Sequence, residues 1–297
     1  MHDYLVKAYA FDKFVRIYAA RTTDLVNKAR SIHDTWPTAT AAFGRILTAS
    51  VIMGAMYKED QTLTIQVSGD GPVGKIVTTT DAKGSVRGTI ENPHIQFSTS
   101  DGKLDVGRAI GNTGFIHVTK DLKIRDVFTS SSAIQTGEIG DDFTYYFAMS
   151  EQIPSSVGLG VLVGEENEVI ASGGFILQLL PGAKPEMIKR IEDAIGFLSP
   201  ISDLIAAGLT PEQLINEITG GDYEFVEQLD LKYSCDCSKS KFAKSLVTLG
   251  KAELESMINE KESIETVCQF CGSKYRFSIS DLKQILASAQ SKQKKQG

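Results

Sequence analysis

Four cysteines, Cys235, Cys237, Cys268 and Cys271, stand as two close pairs in the last quarter of a 297-residue chain, C-x-C and C-x-x-C, with none in the 234 residues before them. Thiolates are soft, strongly donating ligands, and four of them close a tetrahedral site around zinc at about 2.3 Å per Zn–S bond without any other residue type. Each pair acts as one claw. Cys268 and Cys271 lie between two β-prone stretches, 264–267 and 274–278, which puts them at a hairpin turn with Gly272 just past the second thiol. The competing readings are chance pairing, two permanent disulfides, or a thioredoxin-like redox pair, and the last needs a strand–helix–strand setting that this segment lacks. Spacing, number and context together predict metal binding by Cys235, Cys237, Cys268 and Cys271.

The length predicts about two domains and ample chain for a buried core. Hydrophobic content of 42% and charged content of 23% are ordinary for a folded protein. Residues 1–11 carry Asp3 and Lys7 and lack the basic and apolar regions of a signal peptide, and no run approaches the ~18 apolar residues of a membrane span. These features predict a cytoplasmic protein with no membrane partner, in a compartment where thiols stay reduced. The net charge of −6 is uneven: residues 235–297 hold 11 of the 31 Lys/Arg and 7 of the 37 Asp/Glu, with Lys292, Lys294 and Lys295 in the tail. Four zinc-bound thiolates would add about −2, leaving that region weakly basic, which argues against phosphate-driven nucleic-acid binding.

The elements that must position the claws follow from periodicity. Residues 4–10 and 14–20 read as two strands joined at Asp12-Lys13, followed by a helix from Thr22 or Thr23 to about His33, ended by Trp36-Pro37. A second helix from about Thr38 carries Phe43, Ile46, Leu47, Met53 and Tyr57 on one apolar face, with Ala and Thr filling the remainder, and reads as a core helix. Residues 63–91 read as an antiparallel meander broken at Gly69–Pro72 and Asp81–Gly84, with further strands at 114–119, 157–163 and 170–180 and a helix near 143–150. Segregated strands and helices predict an α+β class, with a mostly antiparallel N-terminal sheet domain.

Gly69, Gly71 and Gly74 match G-x-G-x-x-G, yet Pro72 interrupts the loop and 75–80 continues as a strand, so no helix N-terminus is there to meet a phosphate. His33, His94 and His117 are dispersed, and Ser130, Ser131 and Ser132 read as a solvated loop without a nucleophile-elbow pattern. No catalytic constellation emerges, and the chain does not read as an enzyme. From 184 to 232 the chain turns acidic, ten Asp/Glu against four Lys/Arg, and reads as short amphipathic helices. Their apolar face comprises Ile188, Ile191, Ile195, Leu198, Ile201, Leu204, Ile205, Leu214, Ile215 and Ile218. Pattern alone leaves two readings open, a plain helical subdomain or a docked, removable linker. A zinc thiolate keeps a nucleophilic sulfur, and its oxidation removes the lone pair that the metal needs.

Five separated motifs occur in order: T-A-T-A-A-F-G-R at Thr38–Arg45, S-E-Q-I-P at Ser150–Pro154, G-G-F-I-L-Q-L-L-P at Gly173–Pro181, C-D-C-S at Cys235–Ser238, and C-Q-F-C at Cys268–Cys271 with Tyr275 and Phe277. From end to end the chain resembles the redox-regulated heat-shock chaperone family of about thirty-three kilodaltons. The resemblance implies an N-terminal α+β domain (1–182), a metastable helical linker (183–232) and a C-terminal zinc-binding redox-switch domain (233–297). It implies one Zn2+ per chain on Cys235, Cys237, Cys268 and Cys271 in a reduced, inactive monomer. Oxidation would then join neighbouring cysteines in two disulfides, expel zinc, unfold the linker and yield a homodimer that holds unfolding client proteins without ATP. The competing readings are a zinc-ribbon nucleic-acid-binding regulator and a thiol oxidoreductase. Phe128–Ile134 departs from a glycine-containing pattern expected there, and Phe43 stands where leucine is expected; both departures bear on a client or dimer surface rather than on the switch.

Overall fold

The computed structural model describes residues 2–58, 60–123 and 126–293; Lys294 and Lys295, and the side chain of Lys292, fall outside the described part. Two compact units divide the chain, Met1–Ser234 and Cys235–Gly297.

The first unit contains β1 (Tyr4–Ala10), β2 (Val15–Arg21), α1 (Thr23–His33), α2 (Pro37–Gly54), β3 (Thr62–Gly69), β4 (Lys75–Asp81), β5 (Ser85–Ile90) and α3 (Val106–Ile110). It continues with β6 (Gly114–Asp121), β7 (Phe128–Ala133), α4 (Gly140–Tyr146), a π-helical turn Phe147–Glu151, β8 (Ser155–Val163) and β9 (Val169–Leu179). Three helices follow, α5 (Pro185–Gly196), α6 (Ile201–Ala206) and α7 (Pro211–Thr219), then β10 (Tyr223–Asp230) and β11 (Lys232–Tyr233). One sheet runs β10-β1-β2-β9-β8 and is antiparallel throughout. The other runs β11-β5-β4-β3-β6-β7 and is antiparallel apart from β11, which lies parallel to β5.

The two sheets bury their strands differently, and the sequence carries the difference. In β3, β4 and β5 buried and half-buried residues alternate, the mark of a sheet with one covered face. In β9 nine of eleven residues are buried, because the β10–β8 sheet is covered on both sides. Between the sheets lies α2, opened by Pro37 at its first turn and buried at every position except Pro37 and Arg45. The expected single apolar face is therefore corrected: the helix is covered all round, and Tyr57 lies beyond its end at Gly54. The reading as a core helix holds, and the alanines and threonines that fill the remainder are buried as well. Hydroxyls of the helix are satisfied inside the core, Thr48 with Thr22 at 2.7 Å and Ser50 with Thr78 at 2.6 Å. Phe43 is 1% exposed, with its ring against the space a side chain at Gly88 would fill, so this departure concerns the core and not a surface.

Two further expectations are corrected. Ser130–Ser132 is not a solvated loop but the middle of β7, an edge strand paired with β6, with Ser132 buried. The acidic stretch ends as helix at Thr219: Gly220 in the left-handed region closes α7, and Tyr223–Asp230 forms β10, a strand set by its pairing with β1 rather than by composition, since helix formers are as frequent there as β-formers.

The outer face of the β10–β8 sheet forms a second core with α5, α6 and α7, in which Ile17, Phe175 and Leu177 meet Ile191, Ile205 and Ile215. Two glycines allow this approach. A Cβ on Gly160 would lie 2.4 Å from the Ser202 backbone nitrogen, and one on Gly173 would lie 2.4 Å from the Ile205 side chain.

The second unit contains α8 (Lys239–Val247), α9 (Lys251–Asn259), β12 (Ile264–Val267), β13 (Lys274–Phe277) and α10 (Ile279–Gln293). Its core is small, built on Leu246, Leu254, Phe277, Leu282 and Ile285.

A side chain at Gly160 must displace the backbone of α6, whereas one at Gly196 meets nothing within 4 Å. Gly160→Val is expected to destabilise the first unit by about 1–3 kcal/mol and to expose the α5–α6 connection to protease, while Gly196→Ala is neutral or stabilising by up to about 1 kcal/mol. Limited proteolysis and thermal melts of the two variants check this contrast.

Candidate metal centre and linker face

The second claw is built by the β12–β13 hairpin. Its strands pair from Ile264–Phe277 to Val267–Lys274, and the turn between them is closed by Cys268 N–H donating to Ser273 O (2.9 Å) and Gly272 N–H donating to Cys268 O (2.8 Å). Gly272 has φ of +70°, which a residue with a Cβ adopts only under strain. The first claw, Cys235 and Cys237, is the run between β11 and α8, where the Ser238 hydroxyl accepts from Lys241 N–H at 3.3 Å as the helix N-cap.

The four sulfurs converge. All lie within 4.8 Å of one another, with Cys235 Sγ 3.8 Å from Cys268 Sγ and Cys237 Sγ 3.3 Å from Cys271 Sγ. Four thiolates at about 2.3 Å from one tetrahedral ion stand about 3.8 Å apart, so the donor set and its spacing fit such an ion. Cys268 is buried and the other three are half-buried.

The thiols differ electrostatically. Burial pushes Cys235 up to about 12 and Cys268 upward as well. Burial acts the same way on Cys271, but hydrogen bonds from the Ser273 hydroxyl and backbone outweigh it and hold Cys271 down at about 6. The Tyr275 hydroxyl lies 3.1 Å from Cys237 Sγ, and that hydrogen bond pushes the phenol up to about 12. Tyr275 stands among the motif residues, but its contact with the opposite claw was not anticipated. The available signal is strand alternation, since Tyr275 shares a face with the core residue Phe277.

The ten residues of the expected linker face occupy the outer side of the β10–β8 sheet to different depths. Ile191, Ile201, Ile205, Leu214, Ile215 and Ile218 are buried in the second core; Ile195, Leu198 and Leu204 pack against it half-buried. Ile188 is half-buried. Ile195, Leu198 and Ile201 also line a cleft of about 330 Å3 whose other wall is Gly158, Leu159 and the Arg45–Glu138 ion pair. Tyr4 O–H ties the layer to β1 by donating to Glu212 (2.9 Å), and within the layer Arg190 of α5 donates to Thr219 O of α7 (3.1 Å). The glycines beneath α6 and these ties were not foreseen, because which glycine faces a helix depends on strand partners distant in sequence.

The histidines stay apart, His33 on Tyr233 (3.1 Å), His94 on Asp34 (3.1 Å) and His117 on Ser131 (2.7 Å). Among the described residues no helix is long and apolar enough to cross a membrane.

Comparison with known proteins agrees with this architecture. The family model described as Hsp33 protein matches residues 3–278. The 33 kDa chaperonin of Bacillus velezensis is 50% identical over 284 residues, covering 95% of this chain and 98% of that protein. The 33 kDa chaperonin of Staphylococcus aureus strain Newman is 50% identical over 289 residues, covering 97% and 99%. The crystal structure of the 33 kDa chaperonin (heat shock protein 33 homolog) from Thermotoga maritima superposes with a TM-score of 0.90 at 34% identity, over 98% of this chain and 100% of that one. In sequence along nearly its whole length, and in fold, the chain belongs to the Hsp33 family of chaperones.

Proposed function

We propose that this chain is a redox-regulated, ATP-independent holdase whose reduced, zinc-bound form is inactive. The observation that carries the proposal is the convergence of four thiol sulfurs within 4.8 Å, beginning two residues after β11. The thiolate donor set favours zinc, which when bound would hold all four sulfurs ionised at neutral pH and tie the claws together. In this reading residues 1–182 are the N-terminal domain, 183–232 the metastable linker and 233–297 the switch.

The residues themselves do the switching. A thiolate sulfur gives its electron pair to an oxidant such as peroxide or hypochlorous acid, and a neighbouring thiolate displaces the oxygen to form a disulfide. Two disulfides, Cys235–Cys237 and Cys268–Cys271 by family resemblance, leave no anionic donor. A structural zinc site contributes on the order of 10–16 kcal/mol to the fold it organises. Its loss frees the chain at Cys235, and through the continuous backbone of β11 and β10 the linker loses an anchor. Release of α5, α6 and α7 would bare Ile17, Phe175 and Leu177 for unfolding clients, with homodimer formation in the oxidised state and monomers in the reduced state.

The nucleic-acid reading has little support: Lys239, Lys241 and Lys274 are paired with Asp281, Asp236 and Glu265. No catalytic role is proposed for any residue, and a cytoplasmic site of action fits the need for reduced thiols.

The direct test is zinc content and free-thiol count before and after warm peroxide, alongside client aggregation. One zinc and four thiols are expected before treatment, neither after it, and protection of the client only afterwards; equal protection by both forms would refute the switch. Ile191, 3% exposed in the second core, supplies a redox-independent entry. Burying a charge there is unfavourable, so Ile191→Asp is expected to raise holdase activity in reductant several-fold with zinc retained, read in the same aggregation assay. Metal uptake also carries a pH signature. At neutral pH Cys271 is already largely ionised, so binding releases fewer than four protons; as pH falls through about 6 it takes up a proton that the metal must displace. The plot of log affinity against pH should therefore steepen by about one unit below that point, measured by competition with a chromophoric chelator.

A further inference from the structure

Tyr275 joins the two claws without being a ligand. It belongs to β13, on the hairpin that carries Cys268 and Cys271, yet its hydroxyl lies 3.1 Å from Cys237 Sγ of the other claw. Its ring is held in place independently, 5.1 Å from the Phe242 ring of α8. The hydroxyl is thus presented to one sulfur by a packed, half-buried side chain rather than by a mobile surface group.

An O–H donor aimed at a thiolate stabilises the electron pair that must attack an oxidant, so the sulfur becomes a weaker nucleophile. The same bond adds to the grip on the site. Ser273 stands in a related position toward Cys271, 3.2 Å away, but as a near neighbour on the same turn. Tyr275 alone of the two reaches across.

Resting on the holdase reading above, we propose that the Tyr275 hydroxyl is a brake on oxidation of Cys237 and so sets the oxidant threshold of the switch. The step it slows is attack of the Cys237 thiolate on peroxide: the S–O bond forms as the O–O bond breaks, sulfur is oxidised by two electrons, and hydroxide leaves. A neighbouring thiolate then attacks the sulfenic sulfur, forming S–S, breaking S–O and releasing a second hydroxide. The hydrogen bond from Tyr275 must be surrendered before the first of these events.

Tyr275→Phe removes the hydroxyl and keeps the ring beside Phe242. With the zinc-loaded full chain, the second-order rate of zinc release by hydrogen peroxide, followed with a chromophoric chelator, is expected to rise about three- to tenfold, the worth of one hydrogen bond. Release to the chelator alone is expected to change by less than that factor. An unchanged peroxide rate overturns the brake, and so does an equal acceleration with and without peroxide, which marks a merely structural tie. The parent chain gives a second measurement that needs no variant: with substoichiometric peroxide and a sulfenic-acid trap, Cys237 is expected not to be the first cysteine labelled, and finding it first overturns the proposal. Failure of the parent to bind zinc, or to release it with peroxide, would instead refute the holdase reading itself.

Discussion

Four sulfur atoms within 4.8 Å of one another tolerate few charge states. As bare thiolates they repel; as neutral thiols they make weak contacts; around a cation each repulsion is turned into a shared attraction. The surrounding unit offers little else to hold it together. Roughly sixty residues with a core of Leu246, Leu254, Phe277, Leu282 and Ile285 fall in the size range where a hydrophobic core alone is marginal. The contacts among the four sulfurs are therefore a principal tie between the hairpin and the approach to α8.

The first unit carries a layer of short helices on one face of a sheet. Its β10–β8 sheet has apolar residues on both faces, so something must cover the outer one. The inner face is locked by α2, threaded between two sheets and tied by buried hydroxyl pairs. The outer face is covered by short helices whose hold is mainly burial of aliphatic side chains, which is non-directional, and which leaves a cleft beside Ile195 and Leu198.

Much of this was legible from residue types and spacing. The claws needed only cysteine count and turn chemistry; the meander from Thr62 to Ile90 showed itself by alternation and by its Gly- and Asp-bearing turns; the first hairpin and both early helices appeared near their observed bounds. The errors share one cause, namely contacts between residues far apart in sequence. Alanines and threonines of α2 look like a neutral flank until two sheets enclose them. Ser130–Ser132 lacks β-formers and becomes a strand because β6 is there to pair with. At the metal centre, ligand identity is local and readable, whereas the reach of Tyr275 to Cys237 depends on how hairpin and helix fold together.

The pairing of β10 with β1 has a bearing on how the chain comes into being. Tyr4 partners Asp230 and Ala10 partners Tyr223, so the first strand made waits for almost the last before that border of the sheet is closed. Until a ribosome has delivered residues 185–230, the nascent molecule presents an unfinished sheet: Tyr4–Ala10 is paired with β2 on one side only, its other edge is without a strand partner, and its aliphatic outer side is wet. Every newborn copy thus passes through a form whose outer sheet side is uncovered, and shielding during translation must come from elsewhere until residues 185–230 arrive.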